Sequence, residues 1–196
     1  MFLKCSHCYD IKVHNVVKLG GVYMGIIFVA GCYGVGKSTL LEKLSEETKI
    51  PHFSAGMLIS ENNQELYGQN KYVAEKKSNQ AILIERIEQK LKSFPRFFLD
   101  GHFCIFKKGN IPDILPLDDL AQMHFEKIFL LEAAPSQILK NLKKRDGKNY
   151  SLDSIEALIM AENKQAYIFS EATHIPLYVH HMHFDDTDVL QVRSNI

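Results

Sequence analysis

Gly31-Cys32-Tyr33-Gly34-Val35-Gly36-Lys37-Ser38, followed by Thr39, has the spacing G-x-x-x-x-G-K-[ST]. Each fixed position has a physical task in holding phosphate. The glycines at 31, 34 and 36 allow backbone angles that turn successive N–H groups inward as an anion nest. A helix starting at Ser38 would add the positive end of its dipole. Lys37 can reach the β- and γ-phosphates of a nucleotide as a point charge, and the Ser38 hydroxyl is placed to ligate Mg²⁺. Residues 31–39 are therefore the candidate nucleotide cradle. Cys32 is a small residue tolerated in the loop, although a thiol there would expose binding to oxidation.

A second chemical position lies further on, in Phe97-Phe98-Leu99-Asp100-Gly101-His102. An acid at the carboxyl end of a buried strand can hold a water on Mg²⁺, so Ser38 and Asp100 form the candidate metal pair. The run Lys143-Lys144-Arg145-Asp146-Gly147-Lys148 is basic and ends in a turn. Arg145, with Lys148, is the candidate for balancing charge on a migrating phosphoryl group, the alternative being a solvated basic helix end that the dipole favours; Lys37, Asp100 and Arg145 are the candidate catalytic set.

The elements that must position these residues can be read from the pattern. Residues 26–30 are an apolar run suited to a buried strand, and Leu40, Leu41 and Leu44 mark one face of the helix that follows. Residues 50–56 read as a short strand ending in a Ser-Ala-Gly turn, and residues 69–91 as a long helix. Residues 97–99 and 127–132 read as further strands, with a loop over 103–119 broken by Gly109, Pro112 and Pro116. Pro135 opens a helix at its favoured first turn. Ser151 caps a long helix running to about Ala172, and residues 177–179 form a last strand. Strands alternating with helices predict an α/β fold, with a parallel sheet covered on both faces and a short lid. Ligands in such sheets bind at the carboxyl ends of the strands.

With these motifs in hand, residues 25–188 resemble the small nucleoside monophosphate kinases. The likeness is closest to the archaeal-type adenylate kinases and the small AAA-type ATP-binding kinases among P-loop proteins. It is carried by GCYGVGKST, HFSAGMLI, FLDGH and KKRDGKNYSLDSIEALIMAENKQAYIFSE. The resemblance implies a three-layer P-loop NTPase fold and transfer of the γ-phosphoryl of Mg-ATP to a small acceptor, a nucleoside monophosphate. It implies substrate contacts at Ser54, Gly56, Gln80 and His102, the last in an acid-x-His turn, and lid cations at Lys144, Arg145 and Lys148. The chain departs from the classical adenylate kinases in its few arginines: Arg86, Arg96, Arg145 and Arg193. Lysine does not replace a bidentate guanidinium one for one. That shortage keeps open a second reading, a slow P-loop ATPase or nucleotide switch acting through a protein partner.

The bulk properties set limits on these readings. The chain has 196 residues, 46% hydrophobic and 23% charged, with 23 basic and 23 acidic residues and no formal net charge. That length fits one domain with a sizeable core. The balance gives no broad basic surface for nucleic acid, which weighs against a nucleic-acid end kinase. No stretch is apolar and long enough to span a bilayer, so a membrane partner is not expected. Four cysteines without framework spacing fit reduced thiols in a cytoplasm. Residues 1–23 have no clear period, and their Cys5-x-x-Cys8 with His7 and His14 lacks a second ligand pair for zinc. Lys18 to Met24 can be encoded by a ribosome-binding sequence ahead of a start codon. Residues 1–23 are therefore expected to be a translated leader, and 24–196 the single domain. His180, His181 and His183 invite a metal reading. Strand alternation, however, sends His181 and His183 to one face and His180 to the other with no carboxylate beside them, which favours a polar strand end.

Overall fold

A computed structural model of the chain describes residues 18–19, 22–23, 25–63, 76–147 and 149–196. Most of the expected leader, including Cys5, Cys8, His7 and His14, lies outside the described residues, as do Lys148 and the first part of the helix expected over 69–91. Two short strands, β1 (Lys18–Leu19) and β2 (Val22–Tyr23), pair antiparallel ahead of the main sheet.

The apolar run becomes β3 (Gly25–Gly31), with all seven residues buried. Such a strand has no solvent face and must lie inside a sheet covered on both sides. It does: the five-stranded sheet has the order β4-β5-β3-β8-β9, and every neighbouring pair is parallel. Its other strands are β4 (His52–Ser54), β5 (Arg96–Asp100), β8 (Phe125–Glu132) and β9 (Leu177–His181). The register places Val29 opposite Asp100 and Ser54 opposite Asp100, so Gly31, Ser54 and Asp100 end at one edge of the sheet.

Helices cover both faces. The helix α1 (Lys37–Thr48) buries Leu40, Leu41 and Leu44, packs against β3, β4 and β5, and touches α7 (Asp186–Arg193). On the other face, α6 (Leu152–Thr173) packs against β3, β8 and β9 and is flanked by α5 (Pro135–Asp146). Ser151 caps α6 as expected, its hydroxyl accepting the Ser154 N–H. An aromatic cluster ties this face together. Phe28 stacks on Phe125 with centroids 4.4 Å apart and meets Phe103 edge-on at 5.3 Å, and Phe103 meets Phe169 of α6 at 5.5 Å.

Four elements differ from the sequence expectation. The Ser-Ala-Gly segment is not a free turn: Ser54 closes β4, and Ala55 begins α2 (Ala55–Asn63). The next helix, α3, is described as Lys76–Ser93 and ends at Ser93 rather than Leu91. The loop expected over 103–119 folds into an antiparallel hairpin, β6 (Cys104–Lys107) with β7 (Ile111–Ile114), and a short helix α4 (Leu117–Ala121). The final strand extends beyond residue 179 to His181, and a further helix, α7, follows it, which the sequence pattern did not mark.

Candidate functional site

The carboxyl edge of the sheet opens into a cleft of about 690 Å³. Of the residues expected to do chemistry, Tyr33, Gly34, Gly36, Lys37, Ser38, Thr39, Ser54, Gly56, Gln80, Asp100, His102 and Arg145 all border it. They come from the phosphate loop, α1, the β4–α2 junction, α3, the end of β5 and α5. Residues up to 112 apart in sequence thus meet because parallel strands end together.

At the floor, the Ser38 hydroxyl donates to Asp100 Oδ2 at 2.9 Å, and Lys37 Nζ lies 3.8 Å from Asp100 Oδ1. Lys37 is buried, and its ammonium also donates to the carbonyls of Gly31 at 2.7 Å and Cys32 at 3.4 Å. A charge lying across the loop in this way is held within reach of whatever anion the loop accepts. Two hard oxygens from Ser38 and Asp100 suit a cation such as Mg²⁺, which takes few protein ligands and keeps water.

The loop needs its glycines. Gly31 has φ 143°, and a Cβ there would sit 2.6 Å from the Leu131 carbonyl oxygen of β8. Gly34 has φ 78°, and a Cβ would meet Leu142 Cγ of α5 at 2.9 Å. The loop is held from α5 by Asn141, whose amide donates to the Gly34 carbonyl at 2.8 Å.

Three cradle residues sit differently from expectation. The Gly31 N–H does not turn into the cleft but donates to Glu162 Oε1 at 3.0 Å. Val35 is fully buried, and Cys32 is only 3% exposed. These residues shape the loop from beneath. Burial pushes the Cys32 thiol up to about 12, so it stays protonated and oxidation of the loop through this thiol is disfavoured.

Sequence reasoning missed Glu162. It lies on α6, fully buried, and binds three separate backbone N–H groups: Gly31 at 3.0 Å, Phe103 at 3.0 and 2.9 Å, and Cys104 at 2.6 Å. One carboxylate therefore ties the start of the phosphate loop to the segment following Asp100 and His102. Burial drives its carboxyl up from 4.5 to about 7, against the opposing pull of the Lys37 charge and the backbone donors. His102 Nδ1 is 3.9 Å from Glu162 Oε1, and its ring packs on Tyr33 with centroids 4.3 Å apart. The signal that could have found Glu162 is an acid on the apolar face of a long helix. From periodicity alone this looks like an ordinary interruption.

On the acceptor side, Gln80 is 5% exposed, and its Oε1 has no hydrogen-bond partner among the described residues. The cleft-bordering cations among the described residues are Lys37, Lys43, Lys144 and Arg145. Arg145 is partly exposed and forks onto its neighbour Asp146, Nε to Oδ1 at 2.5 Å and Nη2 to Oδ2 at 2.7 Å.

Residues 30–159, well over half of the chain, match the family described as AAA domain. The chain belongs to this AAA domain family. No curated protein matches it in sequence. Among solved structures, this AAA domain is similar to the shikimate kinase from Bacteroides thetaiotaomicron, with TM-score 0.56 and 16% identity over 88% of this chain and 95% of that one. It is also similar to a gluconokinase from Sinorhizobium meliloti, with TM-score 0.52 and 13% identity over 87% and 94% of the two chains. An uncharacterized protein from Eubacterium ventriosum gives TM-score 0.51 and 13% identity over 88% and 98%. At such identities the likeness shows the fold, that of P-loop NTPase kinases, and it does not single out the adenylate kinases. No helix among the described residues is long and apolar enough to cross a membrane.

Proposed function

We propose that this AAA domain is a phosphotransferase that moves the γ-phosphoryl of Mg-ATP to a small acceptor bound at the Ser54–Gln80 side of the cleft. The observation that carries the reading is the floor of the cleft: Lys37, Ser38 and Asp100 converge there at hydrogen-bonding and ion-pairing distance beneath a glycine-shaped loop. The loop N–H groups and Lys37 would hold the nucleotide phosphates, and Ser38, with Asp100 beside it, would hold Mg²⁺. The metal would supply charge neutralisation on the phosphate oxygens. The chain's own residues do the rest. Lys37 holds the phosphates by charge, Asp100 orients the hydroxyl of Ser38, and Arg145 stands where α5 meets the cleft to offset developing negative charge.

For the acceptor we carry a nucleoside monophosphate. The support is Gln80: a buried amide oxygen at the cleft, with no donor among the described residues, suits an N–H of a base edge, because leaving it unpaired costs about 1–3 kcal/mol. The test is ATP consumption by the purified protein with Mg²⁺ across a panel of nucleoside monophosphates, small sugars and sugar acids, beside Lys37→Ala. Fast turnover with one acceptor, abolished in the variant, is the expected result and names the substrate. Slow hydrolysis that depends on Lys37 but ignores every acceptor would replace this reading with the nucleotide switch and its protein partner.

A further inference from the structure

β9 ends at His181, and α7 begins at Asp186. The turn between them brings His183 back beside His180, not beside His181 as strand alternation predicts. His180 Nε2 lies 2.8 Å from Asp188 Oδ1, and His183 Nδ1 lies 3.3 Å from the same oxygen. His181 goes elsewhere, its Nδ1 3.1 Å from Glu132. The carboxylate that the sequence did not place near the histidines is therefore present, supplied by the first turn of α7.

We propose that His180, His183 and Asp188 bind one divalent transition-metal ion of the zinc class. Their three ligand atoms all lie within 4.8 Å of one another. Tetrahedral bonds of about 2.0–2.1 Å put neighbouring ligand atoms roughly 3.3 Å apart, so both nitrogen–oxygen spacings are already near what such an ion imposes. Two imidazoles with one carboxylate suit zinc and its neighbours and do not suit Mg²⁺ or Ca²⁺, which take oxygen.

Capping explains only part of the arrangement. Asp188 sits in the first turn of α7, where its carboxylate accepts the N–H groups of His183 at 2.9 Å and Phe184 at 2.7 Å. Those two bonds satisfy the carboxylate. They do not explain two imidazoles converging on one oxygen, one of them 54% exposed and gaining little from a screened contact. The exposed His183 leaves an open side for entry and for a water as fourth ligand. His180 would bind the ion through Nε2 in the tautomer that carries its proton on Nδ1. The ion would also cross-link β9 to α7 and fix the turn between them. Within that turn, Met182 and Phe184 lie against Gly36 of the phosphate loop, and Phe184, Asp185 and Asp188 border the cleft. The proposal holds whether or not the cleft transfers phosphate.

The test is titration of the full-length, nucleotide-free protein with Co²⁺ followed by visible absorption, then displacement by Zn²⁺. The expected result is one saturable equivalent with ligand-field bands of a tetrahedral nitrogen–oxygen site. Zinc should raise the melting temperature and shift the imidazole nitrogen resonances of His180 and His183 but not those of His174. In His183→Ala, a surface change that leaves the metal-free melting temperature near that of the wild type, affinity should fall by at least about tenfold. Three results would overturn the proposal: no saturable binding, cobalt bands of thiolate character, or binding with unmoved His180 and His183 resonances that His183→Ala leaves intact.

Discussion

Glu162 holds a charge in the interior because its surroundings are built to accept one. Its four contacts are all with N–H donors spread over two oxygens, which is the geometry of the ionised form. Yet burial lifts its carboxyl to about 7 from an ordinary 4.5. A carboxyl raised in the fold binds its proton more tightly there than in the unfolded chain, so charging it costs stability. Wild-type stability should therefore fall as pH rises from about 4.5 through about 7 and then level off, with no such component in Glu162→Gln; urea unfolding at a series of pH values checks this. The glutamine would also present its own N–H₂ to backbone donors, and ATP binding should weaken by about tenfold, read by calorimetry at neutral pH. Arg145 makes a different prediction. It touches the cleft but no part of the loop floor, so Arg145→Ala should lower kcat by about a hundredfold while leaving the KM for ATP nearly unchanged.

At the scale of elements, the loop is held from two sides. α6 reaches it through Glu162, and α5 through Asn141, which donates to the Gly34 carbonyl. Asn141→Ala should cost about 1 kcal/mol of stability and loosen ATP binding by a few-fold, checked by denaturation and calorimetry on the same samples. The elements also show which signals the sequence carried. β3, α1, β5 and β8 were legible because long apolar runs and a regular helical face dominate them. The hairpin β6–β7 was not: Pro112 lies inside β7, and a proline in a short run reads as a break. A two-stranded ribbon tolerates it because its outer edge needs no donor. The start of α7 was hidden because Asp185, Asp186 and Asp188 look like a solvated loop, whereas acids at a helix start are favoured by the dipole and cap its free N–H groups.

For the whole molecule, the cleft joins a loop on one strand to an acid on the next strand, with a helix from each flank. A ligand filling it should stabilise the fold as a unit. Mg-ATP at about a hundred times its Kd should add about 2.7 kcal/mol, seen as a raised melting temperature that Lys37→Ala loses. Sequence alone determined the phosphate loop, the strand-end acid and the alternation of strands and helices. Each of these is local: a spacing, an apolar run, a cap. Spacing also nominated Ser38 and Asp100 as a pair, but their 2.9 Å contact follows from β3 and β5 being neighbours in register, which no local pattern states. Only the tertiary structure decided that the Gly31 N–H turns to Glu162 rather than to the cleft, because that needs α6 packed behind β3. Only it decided that Asp188 stands beside His180 and His183, because a turn after β9 reverses the strand alternation. Contacts between residues distant in sequence depend on how whole elements pack, and packing is a property of the assembled core rather than of any stretch of chain.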